Sequence, residues 1–203
     1  MKTAALASII VFAALTVVLN PSITGIGVPA PYLPFLVYQI WEIPIVALFL
    51  LYGPKYGIIV GVLNSFVLLA IFMGPGGLPA APFYNLIANL SMMLGVYIPH
   101  IFSSLRTRHL RTDQVASSPK HGALLITAST ILGITLRVIV MTVVNLSMLG
   151  FGYPLGYNMP QAAIIPILPL IALFNATLAL YTIPLGHVLA DVVRSRLKLS
   201  TPS

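Results

Sequence analysis

The sequence predicts an all-α integral membrane protein, a bundle of six transmembrane helices in a single domain over residues 1–203, with both termini in the cytoplasm. Three observations carry that expectation. Of 203 residues, 59% are hydrophobic and only 6% are charged, against about a quarter charged in an ordinary soluble domain. The apolar residues come in runs able to cross a hydrocarbon core of roughly 30 Å, which takes about 20 helical residues. The lysines and arginines stand at alternate ends of these runs.

The first run covers about Thr3 to Leu19 and stops at Asn20-Pro21. Gly25, Gly27, Pro29, Pro31 and Pro34 then break regular helix. A second span is expected from about Phe35 to Tyr52 and a third from about Tyr56 to Met73, joined by the turn Gly53-Pro54-Lys55. After the uncharged segment Gly74 to Pro79 comes a fourth, about Phe83 to Leu105. The strongly polar stretch Arg106 to His121 follows, with Arg106, Arg108, Arg111 and Lys120 against Asp113. A fifth span covers about Ala123 to Leu149, and a sixth about Ala162 to Val193, where Pro166, Pro169 and Pro184 are expected to kink a helix that a membrane tolerates.

Six spans place Lys2, Lys55, the 106–121 loop and the tail with Arg194, Arg196 and Lys198 on one side. The opposite loops, around Gly25, Gly76 and Gly156, carry no Lys or Arg. By the positive-inside rule the basic side is cytoplasmic, and the chain is a multi-pass protein of the cell membrane. Lys2 followed by apolar residues also fits a secretory leader. No convincing small-x-small cleavage site follows, however, and removal would leave five spans with a discordant charge pattern.

The formal charge of +7 does not point to nucleic acid, because the cations are not gathered with aromatics on a soluble face. The absence of cysteine excludes disulfides, thiol catalysis and cysteine metal sites. No phosphate-binding G-x-x-x-x-G-K-[ST] loop occurs, and Glu42, Asp113 and Asp191 are the only acidic side chains. The chain therefore reads as a non-enzyme without a cofactor.

Polar groups inside the spans carry more information, since a buried polar group without a partner costs several kcal/mol. Asn64 lies in the third span, Asn85 and Asn89 share a face of the fourth, and Asn175 lies in the sixth. Arg137, Met141 and Asn145 line one face of the fifth at i, i+4, i+8. Each asparagine either bonds a neighbouring helix or meets a ligand. Arg137 and Glu42 are the most deeply placed charges, a functional signal by default. Either they pair with each other, or Arg137 meets a polar or anionic ligand group while Glu42 fixes the second helix. Tyr32, Tyr38, Trp41 and Tyr84 are stacking surfaces for a flat ring or members of an interfacial belt. Thr3/Ala7 and Ala4/Ser8 are small pairs four apart, which suit helix docking or internal packing.

The order of several short motifs resembles the substrate-binding S components of energy-coupling-factor (ECF) transporters, the riboflavin type most of all. These are Gln39-Ile40-Trp41-Glu42-Ile43-Pro44, then Tyr52-Gly53-Pro54-Lys55-Tyr56-Gly57 with Asn64, Phe83-Tyr84-Asn85 with Ala88, Met141-Thr142 with Asn145, and Phe174-Asn175 after Pro169. They cover nearly all spans in order. Gln39 stands where the riboflavin type has an aspartate, and Leu178 where it has a lysine.

The resemblance implies a six-helix subunit that binds riboflavin, or a related vitamin, near the outer face as transported ligand. It further implies a transmembrane coupling subunit and two ATPase subunits as partners. Ligand contacts are expected from Asn64, Asn85, Asn145 and Asn175, with Glu42, Gln39, Tyr84, Arg137 and Tyr32 around them. Partner docking is expected at Ala4, Ala7 and Ser8. A solute carrier that works alone is the alternative.

Overall fold

The computed structural model describes residues 3–25, 27–72, 78–110 and 119–197. Its helices are α1 (Thr3–Val18), α2 (Pro21–Thr24), α3 (Glu42–Tyr52), α4 (Pro54–Phe72), α5 (Ala81–Leu110), α6 (Pro119–Met148) and α7 (Gln161–Leu197), with strands β1 (Val28–Ala30) and β2 (Leu33–Tyr38) between α2 and α3. Four helices, α4 to α7, are long and apolar enough to cross a membrane, while α1 and α3 are shorter apolar helices. The chain is a multi-pass membrane protein. The centre of the basic segment 106–121, the turn around Gly76, Lys2 and Lys198 lie outside the described residues.

The expected helix over 35–52 is corrected. Leu33–Tyr38 pairs antiparallel with Val28–Ala30, Val28 opposite Tyr38 and Pro29 opposite Val37, and helix begins only at Glu42. Pro34 lacks an N–H and restrains the residue before it to extended backbone, which disfavours helix there. Tertiary bonds then hold the hairpin. The Tyr32 and Tyr38 hydroxyls are 2.6 Å apart, and that of Tyr38 is 2.8 Å from Thr177 Oγ1 on α7. Tyr181, one turn further along α7, donates to the Gln39 carbonyl at 2.6 Å. Partial burial first, and the Tyr38 hydroxyl second, hold the Tyr32 phenol above its usual range, so it stays a neutral hydrogen-bonding group.

The truncated α3 is the hub of the bundle. Eight of its 11 residues are buried, and it packs on α1, α4 and α7. Ile45, Val46, Ala47 and Leu48 form one cluster with Phe12, Val60, Met92, Val96 and Ile183. Gly53 ends α3 at φ 95°, a backbone that favours glycine, and the chain turns directly into α4.

Helices α5, α6 and α7 pack side by side. Where α5 meets α6, Gly95 faces Gly133 so closely that a Cβ on Gly95 would overlap the Leu132 carbonyl oxygen and lie 2.6 Å from the Gly133 backbone. Small residues at such a crossing let two backbones approach and gain van der Waals contact where lipid removes the hydrophobic drive. The small pairs of α1 behave differently. Ala7 is exposed, whereas Ser8 accepts a hydrogen bond from the Tyr52 hydroxyl at 2.9 Å, so this position packs inward on α3.

Candidate functional site

A cavity of about 240 Å³ opens between the hairpin and the adjoining ends of α4 to α7, a little below the roughly 300–1,000 Å³ of most small-molecule sites. Helical periodicity supplies three of its walls. Ala81, Tyr84, Asn85 and Ala88 repeat along the first turns of α5, while Arg137, Met141, Asn145 and Leu149 follow one another at every fourth residue of α6. Ile171, Phe174 and Asn175 come from α7. Phe35, Leu36, Val37 and Gln39 form the hairpin wall, Asn20 and Ser22 border it, and Tyr157 reaches in from the α6–α7 loop. The Tyr84 hydroxyl donates to the Leu155 carbonyl of that loop and so ties α5 to it above the cavity.

The floor is an ionic group of Arg137 and Glu42. Arg137 is 2% exposed and Glu42 is fully buried. Arg137 Nη1 lies 2.5 Å from Glu42 Oε2 and Nη2 lies 3.0 Å from Oε1, a two-pronged pair. Arg137 Nε donates to Asn175 Oδ1 at 3.0 Å, and Nη1 also reaches Met92 Sδ at 3.5 Å. Gln39 Nε2 donates to Glu42 Oε1 at 3.2 Å. An isolated ion here would carry a prohibitive solvation cost, which the close opposite charge and added hydrogen bonds offset. Of the two roles open for these charges, mutual pairing is the one the geometry adopts.

Three of the four asparagines expected at a ligand reach the cavity: Asn85, Asn145 and Asn175. Asn175 is committed on both sides, through Arg137 and through Nδ2 to the Ile171 carbonyl. Asn145 Nδ2 bonds the Met141 carbonyl at 2.6 Å, which leaves its oxygen open. The Asn85 side chain has no hydrogen-bond partner among the described residues.

Asn64, by contrast, is 2% exposed, and neither of its amide atoms has a partner among the described residues. It lies one turn along α4 from Leu68, which does line the cavity. Glu42 sits behind Arg137, and Tyr32 braces the hairpin; neither faces the cavity. Gln39 and Tyr84 do.

Several lining groups had not been assigned from sequence, among them Ser22, Phe35, Leu36 and Phe174. The missed signal is the strand: once Leu33–Tyr38 is extended, its residues reach the cavity as a wall that a helix would have placed elsewhere. Tyr181 was also missed, although an intramembrane tyrosine needs a hydroxyl partner and finds it in Gln39.

No family model and no curated protein matches the chain. Among solved structures it is similar to one described as the S component of a bacterial ECF transporter, with a TM-score of 0.67 and 23% identity, covering 98% of this chain and 100% of that one. The chain has the ECF S-component fold. Within that fold the hairpin and the α6–α7 loop lie at one end of the bundle with the cavity between them. The solved neighbour is a transporter subunit rather than an enzyme.

Proposed function

We propose that this protein is the substrate-binding subunit of an ECF-type vitamin importer of the cell membrane, with riboflavin or a closely related flat vitamin as its ligand. The observation that carries the reading is the cavity itself, in which the Asn85 amide and the Asn145 amide oxygen stand open beside the rings of Phe35, Tyr84, Tyr157 and Phe174. A fused heteroaromatic ring needs both elements, apolar faces to stack on and amide groups for the donors and acceptors along its edge. The S-component fold adds support by likeness. With no nucleotide-binding loop in the sequence, energy would come from two ATPase subunits through a transmembrane coupling subunit. The absence of Lys and Arg from the loops at the cavity end supports an outward-facing mouth and cytoplasmic termini.

The test is purification in mild detergent followed by absorbance between 350 and 500 nm, on the order of the flavin bands, and titration of the stripped protein with riboflavin. Tight stoichiometric binding is expected. Tight binding of a different vitamin would overturn the substrate while keeping the importer, and uptake into liposomes by this chain alone would favour the solute carrier that needs no partners.

A further inference from the structure

Among the described residues, the cavity has one ionic side chain in its lining, Arg137, and that charge is already spoken for. Of the five N–H donors of a guanidinium, Nε goes to Asn175, both Nη1 hydrogens go to Glu42 and Met92, and one Nη2 hydrogen goes to Glu42. A single Nη2 hydrogen remains. Glu42 lies outside the lining and is fully buried, so a ligand meets Arg137 without meeting the carboxylate that neutralises it. The other open groups are uncharged, among them the whole Asn85 amide and the Asn145 oxygen.

We infer that Glu42, without touching the ligand, restricts this site to uncharged molecules by cancelling the charge of Arg137. The inference rests on the cavity being the ligand site and holds for flavins or any other vitamin class. An anion entering the cavity would have to take Arg137 from Glu42 and leave a bare carboxylate buried beside its own charge, both costly at low dielectric. A cation would face the guanidinium and reach no acidic group. A neutral ring with an amide or imide edge loses little on desolvation and pairs with the Asn85 amide, the Asn145 oxygen and the spare Nη2 hydrogen. Glu42 is thus a positioning residue for specificity, and riboflavin satisfies the rule where its 5′-phosphate does not.

The experiment compares neutral and anionic partners of like shape on the purified full chain: riboflavin against riboflavin 5′-phosphate, nicotinamide against nicotinate, and pantothenol against pantothenate, by titration and ligand-induced thermal shift. For the wild type the neutral member of whichever pair binds should be preferred by about 100-fold or more. Glu42→Gln frees the positive charge and should cut that preference at least about tenfold in favour of the anion. The double variant Glu42→Gln/Arg137→Gln, again neutral, should regain the wild-type order. This rescue also covers a single variant that folds poorly, because a merely structural role for Glu42 predicts no return of selectivity with the second change.

A wild type that prefers the anionic member, or a folded Glu42→Gln with unchanged preference, overturns the inference. Neutral selectivity among the non-flavin pairs with no flavin binding overturns the flavin reading alone. No binding by any member overturns both.

Discussion

The two halves of the bundle solve opposite problems. Around Gly95, Gly133 and the middle of α3, side chains and backbones close on one another around an apolar cluster until no added atom fits. Around Asn85, Asn145 and the hairpin, the same helices α5 and α6 hold polar atoms with no partner among the described residues and leave an open volume. The difference lies less in hydrophobicity than in backbone regularity. Where continuous helices pass each other, small residues draw them together. Where β2 replaces the first half of a helix, the neighbours have nothing to close on. The packed half holds the walls in place, and in the proposed function the open half is the one that binds.

That contrast can be broken by single substitutions. The largest effect is expected at the packed crossing: Gly95→Val forces apart two backbones that cannot move aside and should cost at least about 3 kcal/mol, the upper end for overpacking. It would be read as lost resistance to unfolding by denaturing detergent. A variant with wild-type stability would mean that α5 and α6 are free to separate.

In the open half, Asn145→Leu should leave stability near that of the wild type but weaken ligand binding by about 1 to 3 kcal/mol, the cost of leaving a ligand polar group unpaired. Calorimetry on the stripped protein checks this, and an unchanged Kd would return Asn145 to a structural role.

The smallest effect is expected at Asn64, which belongs to the packed half despite its chemistry. With both amide atoms buried and without a partner among the described residues, Asn64→Leu removes an uncompensated desolvation and should hold or slightly raise the melting temperature, with ligand affinity unchanged. A clear loss of affinity would place Asn64 at the ligand and extend the open half inward.

These residues also mark how far the sequence could be read. Apolar runs located α4 to α7 well, because lipid imposes a length and a composition that a window of residues records. The four-residue repeat from Arg137 to Asn145 was legible as a face, and the cavity lies along it. Depth was not legible: Asn64 and Asn85 look alike in a helical pattern, and only the neighbouring helices decide which is enclosed. The pairing of Arg137 with Glu42 spans 95 positions, and sequence alone left it one of two alternatives. The hairpin was lost for a related reason. Leu33 to Tyr38 carries no clean alternation of apolar and polar residues, and its strand is fixed by hydroxyls of Tyr38 and Tyr181 that find partners across the fold.

The shortness of α3 has a consequence for the proposed import. Its 11 residues rise only about 16 Å at 1.5 Å each, whereas the hydrocarbon layer is roughly 30 Å thick. Glu42 opens that helix and the turn at Lys55 follows its far end; with Lys55 at the cytoplasmic boundary, as proposed, a molecule resting on the Arg137–Glu42 floor would stand near the midplane. In the proposed importer the moving parts would then have about half of that layer left to cross.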